Sequence, residues 1–225
     1  MPVKKPRKGP GKKATSRKDR AAEVVRRLEA AYPTQTTTWL EHRDPYELIV
    51  ATILSASCTD ARVNQVTPAL FRRFPTAAAL AAARPAEVEP FIRSCGLFRE
   101  KSQRLVGMAK GLVLRHEGRV PATREELEAL PGVGRKTASV VLAVAHGQPA
   151  LAVDTHVHRV ANRLGLARAT SRERTERALT SLVPEEKWRT IHHQLIHHGR
   201  TVCTARKPRC ESCVLADVCD YFERR

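Results

Sequence analysis

The sequence predicts an all-α protein, and two observations support this prediction. Apolar residues recur at the spacing of amphipathic helices, and residues that favour helix starts stand before these segments. No segment shows the sustained alternation of apolar and polar residues that a half-buried strand requires. With 225 residues, of which 42% are hydrophobic and 28% charged, the chain has the composition of a globular protein with a sizeable core. This composition excludes a wholly disordered or fibrous protein.

The first segment is predicted to be a basic tail rather than a helix. Residues 1–20 contain nine Lys or Arg side chains and one Asp, several Pro and Gly, and almost no apolar residues. Such a segment buries too little apolar surface to offset its ordering entropy, so residues 1–19 are expected to be a disordered basic tail. Its composition fits two uses equally: a DNA-binding arm or nuclear address, and a solubilising extension.

Helices are predicted from the next segment onward. Apolar side chains at residues 21–28 follow a 3.6-residue period, and Asp44-Pro45 offers an N-cap followed by a proline at the first helical position. Further helix starts are predicted at Thr76, Arg84, Thr123 and Ser171. Helix ends are predicted at Gly118, Gly165 and Gly199.

The chain carries a large excess of positive charge. Forty Lys and Arg against 23 Asp and Glu give a net charge of +17, which indicates a polyanionic partner or an anionic membrane face. The longest segment without a charged side chain, residues 137–153, is interrupted by His146, Gln148 and Pro149, so no membrane span is predicted. Five Phe, two Trp and three Tyr are too few for a base-stacking surface. Nucleic acid held through its phosphates is therefore the favoured partner.

The cysteines predict a metal site. Four of the six lie within seventeen residues: Cys203, Cys210, Cys213 and Cys219. Such a group indicates a metal site or a disulfide knot, and the lack of a secretory signal together with the basic charge favours a reducing compartment and hence a metal. One Cys-x2-Cys flanked by single cysteines is more typical of iron–sulfur ligands than of paired zinc knuckles, although thiolates suit both metals. The isolated Cys58 and Cys95 are predicted to be small buried hydrophobes.

Residues 130–138, with the sequence LPGVGRKTA, predict two helices joined by a tight turn. Gly132 and Gly134 permit the turn and a close approach of the backbone to a ligand. Amides at the start of the second helix would then point at a DNA phosphate and hold DNA without reading its sequence. The alternative is an ordinary helical hairpin, but the whole segment in so basic a chain favours a DNA-binding helix-hairpin-helix.

Three segments and the cysteine spacing together resemble the endonuclease III family, the iron–sulfur DNA glycosylases and abasic-site lyases of base-excision repair. The segments are LPGVGRKTA at residues 130–138, AVDTH at 152–156 and HHGRTVCTARKPRC at 197–210. The resemblance covers the chain from about residue 20 onward, so only the basic tail lies outside it.

The resemblance implies two helical domains that flank a DNA cleft. A six-helix barrel with the helix-hairpin-helix is expected at residues 38–148, and a [4Fe-4S] cluster domain at residues 20–37 and 149–225. The expected cluster ligands are Cys203, Cys210, Cys213 and Cys219.

The resemblance also implies two catalytic residues. Lys136 matches the family's nucleophile, which attacks C1′ of the damaged nucleoside and forms a Schiff base. Asp154 matches the family's aspartate, which helps to deprotonate the amine and stabilises positive charge on the sugar. Considered alone, Lys136 could be a phosphate contact or a solvent-facing side chain, and Asp154 could be the N-cap of the following helix. The cap and the catalytic role are compatible.

The remaining site residues are expected to contact DNA. Ser57 stands where the family usually has the glutamine that fills the gap left by a flipped nucleotide. Leu97 matches the leucine that the family inserts into the base stack as a wedge. The alternative role of Leu97 is simple core packing. The other expected contacts lie in the hairpin and in the loop after Cys203: Gly132, Val133, Gly134, Arg135, Arg206, Lys207 and Arg209. Solvated surface charge is the alternative for the last three.

The expected function is that of a bifunctional DNA glycosylase and abasic-site lyase that removes oxidised or ring-saturated pyrimidines. Its partner is double-stranded DNA with damaged pyrimidines or abasic sites, without a membrane, and a monomer is expected. The location is cytoplasmic at the nucleoid of a bacterium or archaeon, or nuclear in a eukaryote. Two alternatives stay open: a mismatch-directed or monofunctional glycosylase on the same fold, and a non-catalytic cluster-bearing DNA-binding module. Lys136 argues against the first, and Lys136 with Asp154 against the second.

Overall fold

The computed structural model describes residues 16–224, and every regular element in this range is helical. The all-α prediction is confirmed. Along the described residues, the α-helices are α1 (Arg17–Ala31), α2 (Pro45–Leu54), α3 (Asp60–Arg73), α4 (Ala77–Ala81), α5 (Pro85–Ile92), α6 (Phe98–His116), α7 (Arg124–Glu128), α8 (Arg135–Val144), α9 (Thr155–Arg163), α10 (Arg172–Thr180), α11 (Trp188–Thr201) and α12 (Asp220–Glu223).

The first helix begins earlier than the sequence predicts. Residues 1–15 of the expected tail lie outside the described residues, but residues 17–19 form the first turn of α1. The cause is a local cap, because the Ser16 side chain accepts a hydrogen bond from the Asp19 N–H at 3.1 Å. The predicted tail is therefore wrong for these three residues.

The predicted helix starts are confirmed. A helix begins directly after each of Asp44, Thr76, Arg84, Thr123 and Ser171. Four of these side chains accept a hydrogen bond from a first-turn amide, which satisfies one of the donors that a helix start leaves free.

The predicted helix ends are confirmed at two glycines and wrong at the third. Gly118 and Gly165 follow helix ends with φ values of +79° and +75°, a backbone conformation that favours glycine. Gly199 instead lies inside α11. A Cβ atom there would lie 3.0 Å from Cβ of His156 and 3.2 Å from Cγ2 of Val160. The glycine therefore allows α9 and α11 to pack closely, rather than ending the helix.

Two apolar cores organise the helices. The first contains buried side chains from residues 40–150 and lies among α2 to α8. The second joins α1 to the later part of the chain, from residue 151 to residue 219. The chain thus leaves the second core after α1, builds the first core, and then returns. Burial of these apolar faces stabilises both cores by roughly 25 cal/mol per Å² of apolar surface removed from water.

An open cavity lies where side chains of the two cores meet. Ser57 and Cys58 line it from the loop before α3, and His156 and Arg200 line it from α9 and α11. The Arg200 guanidinium donates a hydrogen bond to Oδ2 of Asp60 at 2.7 Å. This ion pair joins the start of α3 to α11 across the cavity.

Candidate active site and nucleic-acid interface

The hairpin at residues 130–138 is held by its own backbone and by the first core. Leu130 and Val133 are buried, and the Val133 N–H donates to the Leu130 carbonyl at 3.1 Å. Gly132 has a φ of +77°, and a Cβ atom there would lie 2.8 Å from Cβ of Arg104. Glycine is therefore required at residue 132 both by the backbone conformation and by the space available.

The start of α8 leaves amides free to bind an anion. Gly134 is its N-cap, no side chain caps it, and the first turn contains no acidic residue. The first amides of a helix have no partner within the helix, and the helix dipole favours negative charge at this end. The start of α8 is therefore able to bind an anion such as a phosphate, and its predicted contact with DNA stays a prediction.

Lys136 lies in this first turn with an exposed side chain. Its ammonium group forms no ion pair or side-chain hydrogen bond with any residue between 16 and 224. Lys136 also lines an open cavity together with Thr137 and Val153, the residue that precedes Asp154. The amine is thus accessible to a large substrate.

Asp154 is the N-cap of α9. Its Oδ1 atom accepts hydrogen bonds from the His156 N–H at 2.8 Å and the Val157 N–H at 2.9 Å. The predicted cap is confirmed. Within the described part of the chain, Oδ2 accepts no hydrogen bond, so the carboxylate is oriented through one oxygen and keeps the other available.

His192 is a buried residue whose pKa depends on both candidate catalytic groups. Its ring is fully buried in α11, and Nδ1 lies 2.9 Å from the Trp188 carbonyl oxygen. Burial lowers the pKa of His192 to about 4, while the charge of Asp154 raises this pKa and the charge of Lys136 lowers it. Both charges thus contribute to the pKa of His192, although Lys136 and Asp154 are eighteen residues apart in the sequence.

Two hairpin residues make contacts that the sequence did not predict. Arg135 donates two hydrogen bonds to the Glu176 carboxylate, at 2.7 and 3.0 Å, and this pairing raises the pKa of Arg135. Glu176 lies 41 positions away, so no local pattern indicates this ion pair. Val133 is 5% exposed, and its side chain anchors the turn in the first core. The DNA contacts expected of both residues stay predictions.

Ser57 and Leu97 lie on two short connections, which we call the loop pair: residues 55–59 between α2 and α3, and residues 93–97 between α5 and α6. Leu97 is 63% exposed, so core packing is excluded for it. Ser57 is also exposed, and both residues adopt a positive φ, +55° at Ser57 and +47° at Leu97. Such a backbone costs about 1–3 kcal/mol at a residue other than glycine and is retained where surrounding contacts impose it.

The contact that holds the loop pair together was not predicted. Lys101 is only 3% exposed, and its ammonium donates to the Leu54 carbonyl at 2.9 Å and to the Cys95 carbonyl at 2.7 Å. Burial lowers the pKa of Lys101. A signal was present in the sequence, because Lys101 stands one helical turn before Leu105, on the apolar face of α6.

The four late cysteines surround one cavity near the end of the chain. No disulfide joins cysteines within residues 16–224, so the disulfide alternative is wrong. Sulfur atoms of the group accept hydrogen bonds: Nη1 of Arg163 lies 3.4 Å from Sγ of Cys203, and the Leu215 N–H lies 3.4 Å from Sγ of Cys213. Such donors stabilise thiolates that bind iron. The cavity is lined by Cys203, Cys210, Cys213 and Cys219.

The residues that line this cavity fit an iron–sulfur cluster. Four thiols that share one cavity provide the four thiolates that such a cluster requires. The two donors to Sγ of Cys203 and Sγ of Cys213 are of the kind that stabilises these ligands.

The loop between Cys203 and Cys210 presents three exposed cations: Arg206, Lys207 and Arg209. Within the described residues, none of the three has an ion-pair partner. The backbone of this loop is fixed by Arg163 of α9, whose guanidinium donates to the carbonyls of Thr204 and Ala205 at 2.7 and 2.8 Å. These cations are therefore free while their backbone is fixed.

Comparison with known proteins identifies the same two features. A family model described as HhH-GPD superfamily base excision DNA repair protein matches residues 50–185, and one described as the iron-sulfur binding domain of endonuclease III matches residues 203–219. Endonuclease III of Synechocystis sp. is 49% identical, over 92% of this chain and 95% of that protein. Endonuclease III of Escherichia coli is 43% identical, over 92% of this chain and 98% of that protein.

Solved structures agree with these relatives. A non-covalent endonuclease III–DNA complex has a TM-score of 0.88 and 42% identity, over 92% of this chain and 97% of that chain. A trapped endonuclease III–DNA covalent intermediate also has a TM-score of 0.88 and 42% identity, over 92% and 98% of the two chains.

Among the helices described, none has the length and apolar character needed to cross a membrane.

The hairpin, the two helical cores and the four-cysteine site define a base excision DNA repair protein of the HhH-GPD superfamily. Within this superfamily, the chain belongs to the endonuclease III family. The predictions of family, of fold class and of an iron–sulfur cofactor are confirmed.

Proposed function

We propose that Lys136 is the nucleophile, and Asp154 the carboxylate that assists it, in the removal of oxidised or ring-saturated pyrimidines from double-stranded DNA. The chain is a base-excision repair DNA glycosylase and abasic-site lyase. One observation carries the assignment of residues. Lys136 is an exposed, unpaired amine in the first turn of α8, and it lines one open cavity with Val153, the residue that precedes Asp154.

The chemistry follows from these positions. The free amine of Lys136 attacks C1′, the bond to the damaged base breaks, and the base leaves with the bonding electrons. The sugar ring opens as a Schiff base forms with Lys136. Loss of a proton from C2′ then expels the 3′ phosphate by β-elimination, and water releases the lysine. Asp154 stabilises positive charge on the sugar through Oδ2, because two amides hold Oδ1.

DNA contacts come from three exposed regions. The free amides at the start of α8 bind a phosphate, and Leu97 enters the stack beside the flipped nucleotide. Ser57 reaches less far than a glutamine would. The cluster-loop cations Arg206, Lys207 and Arg209 bind further phosphates, so affinity falls with rising salt.

The [4Fe-4S] cluster would be held by four residues: Cys203, Cys210, Cys213 and Cys219. When bound, it would supply a rigid crosslink at both ends of the cation-bearing loop between Cys203 and Cys210. We also propose that the two apolar cores correspond to domains at residues 38–148 and at residues 20–37 with 149–225. The enzyme acts as a monomer on DNA, in the cytoplasm at the nucleoid or, in a eukaryote, in the nucleus.

Borohydride trapping on an abasic-site duplex tests the role of Lys136. We expect the wild-type protein to form a covalent adduct and Lys136→Gln to form none while it still binds the duplex, because glutamine cannot form a Schiff base. Lys110→Gln is the matched control, since Lys110 is also exposed and lies on α6 outside the proposed site. Undiminished trapping by Lys136→Gln would disprove the assignment.

A second substrate separates the open alternatives. A thymine-glycol duplex and a G·T mismatch duplex are incubated with the protein, and base release is measured apart from strand nicking. We expect excision and nicking on thymine glycol. Base release without nicking, or activity confined to the mismatch, would favour the monofunctional or mismatch-directed enzyme.

A further inference from the structure

The two proposed catalytic residues lie on different cores. Lys136 stands in the first turn of α8, directly after the hairpin turn whose buried residues Leu130 and Val133 belong to the first core. Asp154 follows Val153, which is a buried residue of the second core. The turn of the hairpin is built by local contacts, but the separation of Lys136 from Asp154 depends on contacts between the two cores. A residue that fixes this separation contributes to the reaction without touching the substrate.

Glu176 of α10 provides such a contact. Its side chain is only 10% exposed, and a buried carboxylate requires partners for its charge. Its two oxygens accept hydrogen bonds from the Arg135 guanidinium, at 2.7 and 3.0 Å. Nη2 of Arg124 lies 3.9 Å from Oε1 of Glu176. Because Arg124 is the first residue of α7 and Arg135 the first residue of α8, one carboxylate pairs with the start of each helix that the hairpin joins.

The helix that carries Glu176 is also fixed to α9, whose N-cap is Asp154. Thr175 is the neighbour of Glu176 and is fully buried, and its Oγ1 atom lies 2.7 Å from Nδ1 of His158. The N–H of His158 donates to the Asp154 carbonyl at 3.0 Å. A continuous set of contacts therefore runs from the residue before Lys136, through α10, to the first turn of the helix that Asp154 caps.

The pair between Arg135 and Glu176 lies directly beside the proposed nucleophile. Arg135 precedes Lys136 in the chain, and one open cavity is lined by Lys136, Val153 and Glu176. A guanidinium that donates two hydrogen bonds to one carboxylate is restrained in orientation as well as in distance. The pair therefore restrains both the position and the rotation of the first turn of α8.

We propose that Glu176 is a positioning residue, which holds the start of α8 against the second core through Arg135 and thereby sets the separation of Lys136 from Asp154. The amine and the carboxylate must reach the same sugar, and a displacement of about 1 Å in such a site costs roughly 10²-fold in rate. This effect on the reaction rests on the proposed function of Lys136 and Asp154, whereas the attachment of α8 to α10 does not.

Hydrogen exchange of the holoenzyme without DNA tests the attachment. Glu176→Gln keeps the size of the side chain but removes the charge that binds Arg135. We expect amides at residues 130–138 to exchange about tenfold faster than in the wild type, because a charge-assisted pair no longer restrains them. Amides at residues 77–81 should exchange as in the wild type. Arg135→Gln breaks the same pair from its more exposed side and should give the same increase.

Glu125→Gln is the matched control for this experiment. Glu125 is exposed on α7, and among the described residues no ion pair involves its side chain. This variant changes the net charge by the same amount and should leave the exchange of the hairpin unchanged. Wild-type exchange in the hairpin of Glu176→Gln would overturn the proposal.

Excision rate and DNA affinity together distinguish positioning from a general loss of structure. Single-turnover excision is measured on a thymine-glycol duplex at saturating enzyme, and affinity on a duplex with a tetrahydrofuran abasic-site analogue. We expect Glu176→Gln to slow excision by about tenfold, while its affinity is not weakened, because the variant has lost a negative charge. Glu125→Gln should excise at the wild-type rate. An unchanged rate in Glu176→Gln, or an equal loss of rate and affinity, would contradict a positioning role.

A double-mutant cycle tests whether Glu176 acts through Arg135. The effect of Glu176→Gln on the excision rate is measured in the wild type and in Arg135→Gln. Because Arg135→Gln already breaks the pair, the second substitution should change the rate by less than about twofold. If the two effects multiply, Glu176 acts independently of Arg135 and the proposal is wrong. Borohydride trapping by the wild type is measured in parallel: without an adduct the proposed lyase function fails, and hydrogen exchange alone decides whether Glu176 holds the start of α8.

Discussion

The hairpin at residues 130–138 and the loop pair are both proposed to contact DNA, yet different interactions hold them in place. The hairpin depends on near neighbours: the Val133 N–H bonds to the Leu130 carbonyl, and Gly132 supplies the positive φ. The loop pair depends on Lys101, which joins carbonyls 41 positions apart, at Leu54 and Cys95. A locally built site can be inferred from sequence motifs, whereas a site assembled from distant segments requires the structure.

The largest expected effect lies beside the hairpin, at Asp154. Asp154→Asn keeps an oxygen that can cap α9 but removes the negative charge that assists Lys136. We expect single-turnover excision to slow by a factor of about 10² to 10⁴, the range for a positioned acid or base. The melting temperature of the variant serves as the control. Full activity in a stable variant would show that Asp154 caps α9 and takes no part in catalysis.

The next effect concerns the contact that holds the loop pair. Lys101→Met removes the donor from two buried carbonyls, and we expect the free energy of unfolding to fall by about 2–4 kcal/mol. Urea unfolding measures this change. Lys110→Met is the matched control on the same helix, because Lys110 is exposed and should change stability by less than about 0.5 kcal/mol. Equal effects of the two substitutions would show that Lys101 does not hold the loops.

The hairpin has a corresponding test in its glycines. Gly132→Ala places a methyl group 2.8 Å from Cβ of Arg104 at a positive φ, so we expect a loss of about 1–3 kcal/mol in the free energy of unfolding. Gly134→Ala has open space and should unfold like the wild type. If the two variants have the same free energy of unfolding, a glycine at residue 132 is not required for the hairpin.

The smallest expected effects concern the exposed side chains of the loop pair. Leu97→Ala removes an exposed apolar wedge, so we expect about tenfold slower excision with unchanged stability. Ser57→Ala should be milder and Ser57→Gln faster than the wild type, because a longer side chain fills more of the gap. Single-turnover rates at low and physiological salt measure these differences. If Ser57→Ala is as slow as Leu97→Ala, then Ser57 is itself a recognition residue.

The helix starts and the cysteine-rich metal site could be predicted from the sequence, because each depends on residues close together in the chain. Ser171 and Thr123, for example, cap helices through amides three positions away. The features that the sequence did not show depend on distant residues. Arg135 pairs with Glu176, 41 positions away, and Gly199 allows α11 to pack closely on α9 instead of ending a helix.

The sequence alone was therefore sufficient for the helical class, the hairpin and the iron–sulfur cofactor, since backbone preference and short spacing indicate them. The folded chain was needed to learn which charges are available. It leaves Lys136 exposed, pairs Arg135 with Glu176, and buries Lys101 between two loops. Whether a charged side chain is exposed, paired or buried depends on residues that come into contact only when the two cores pack. The spacing of residues along the sequence does not show these contacts.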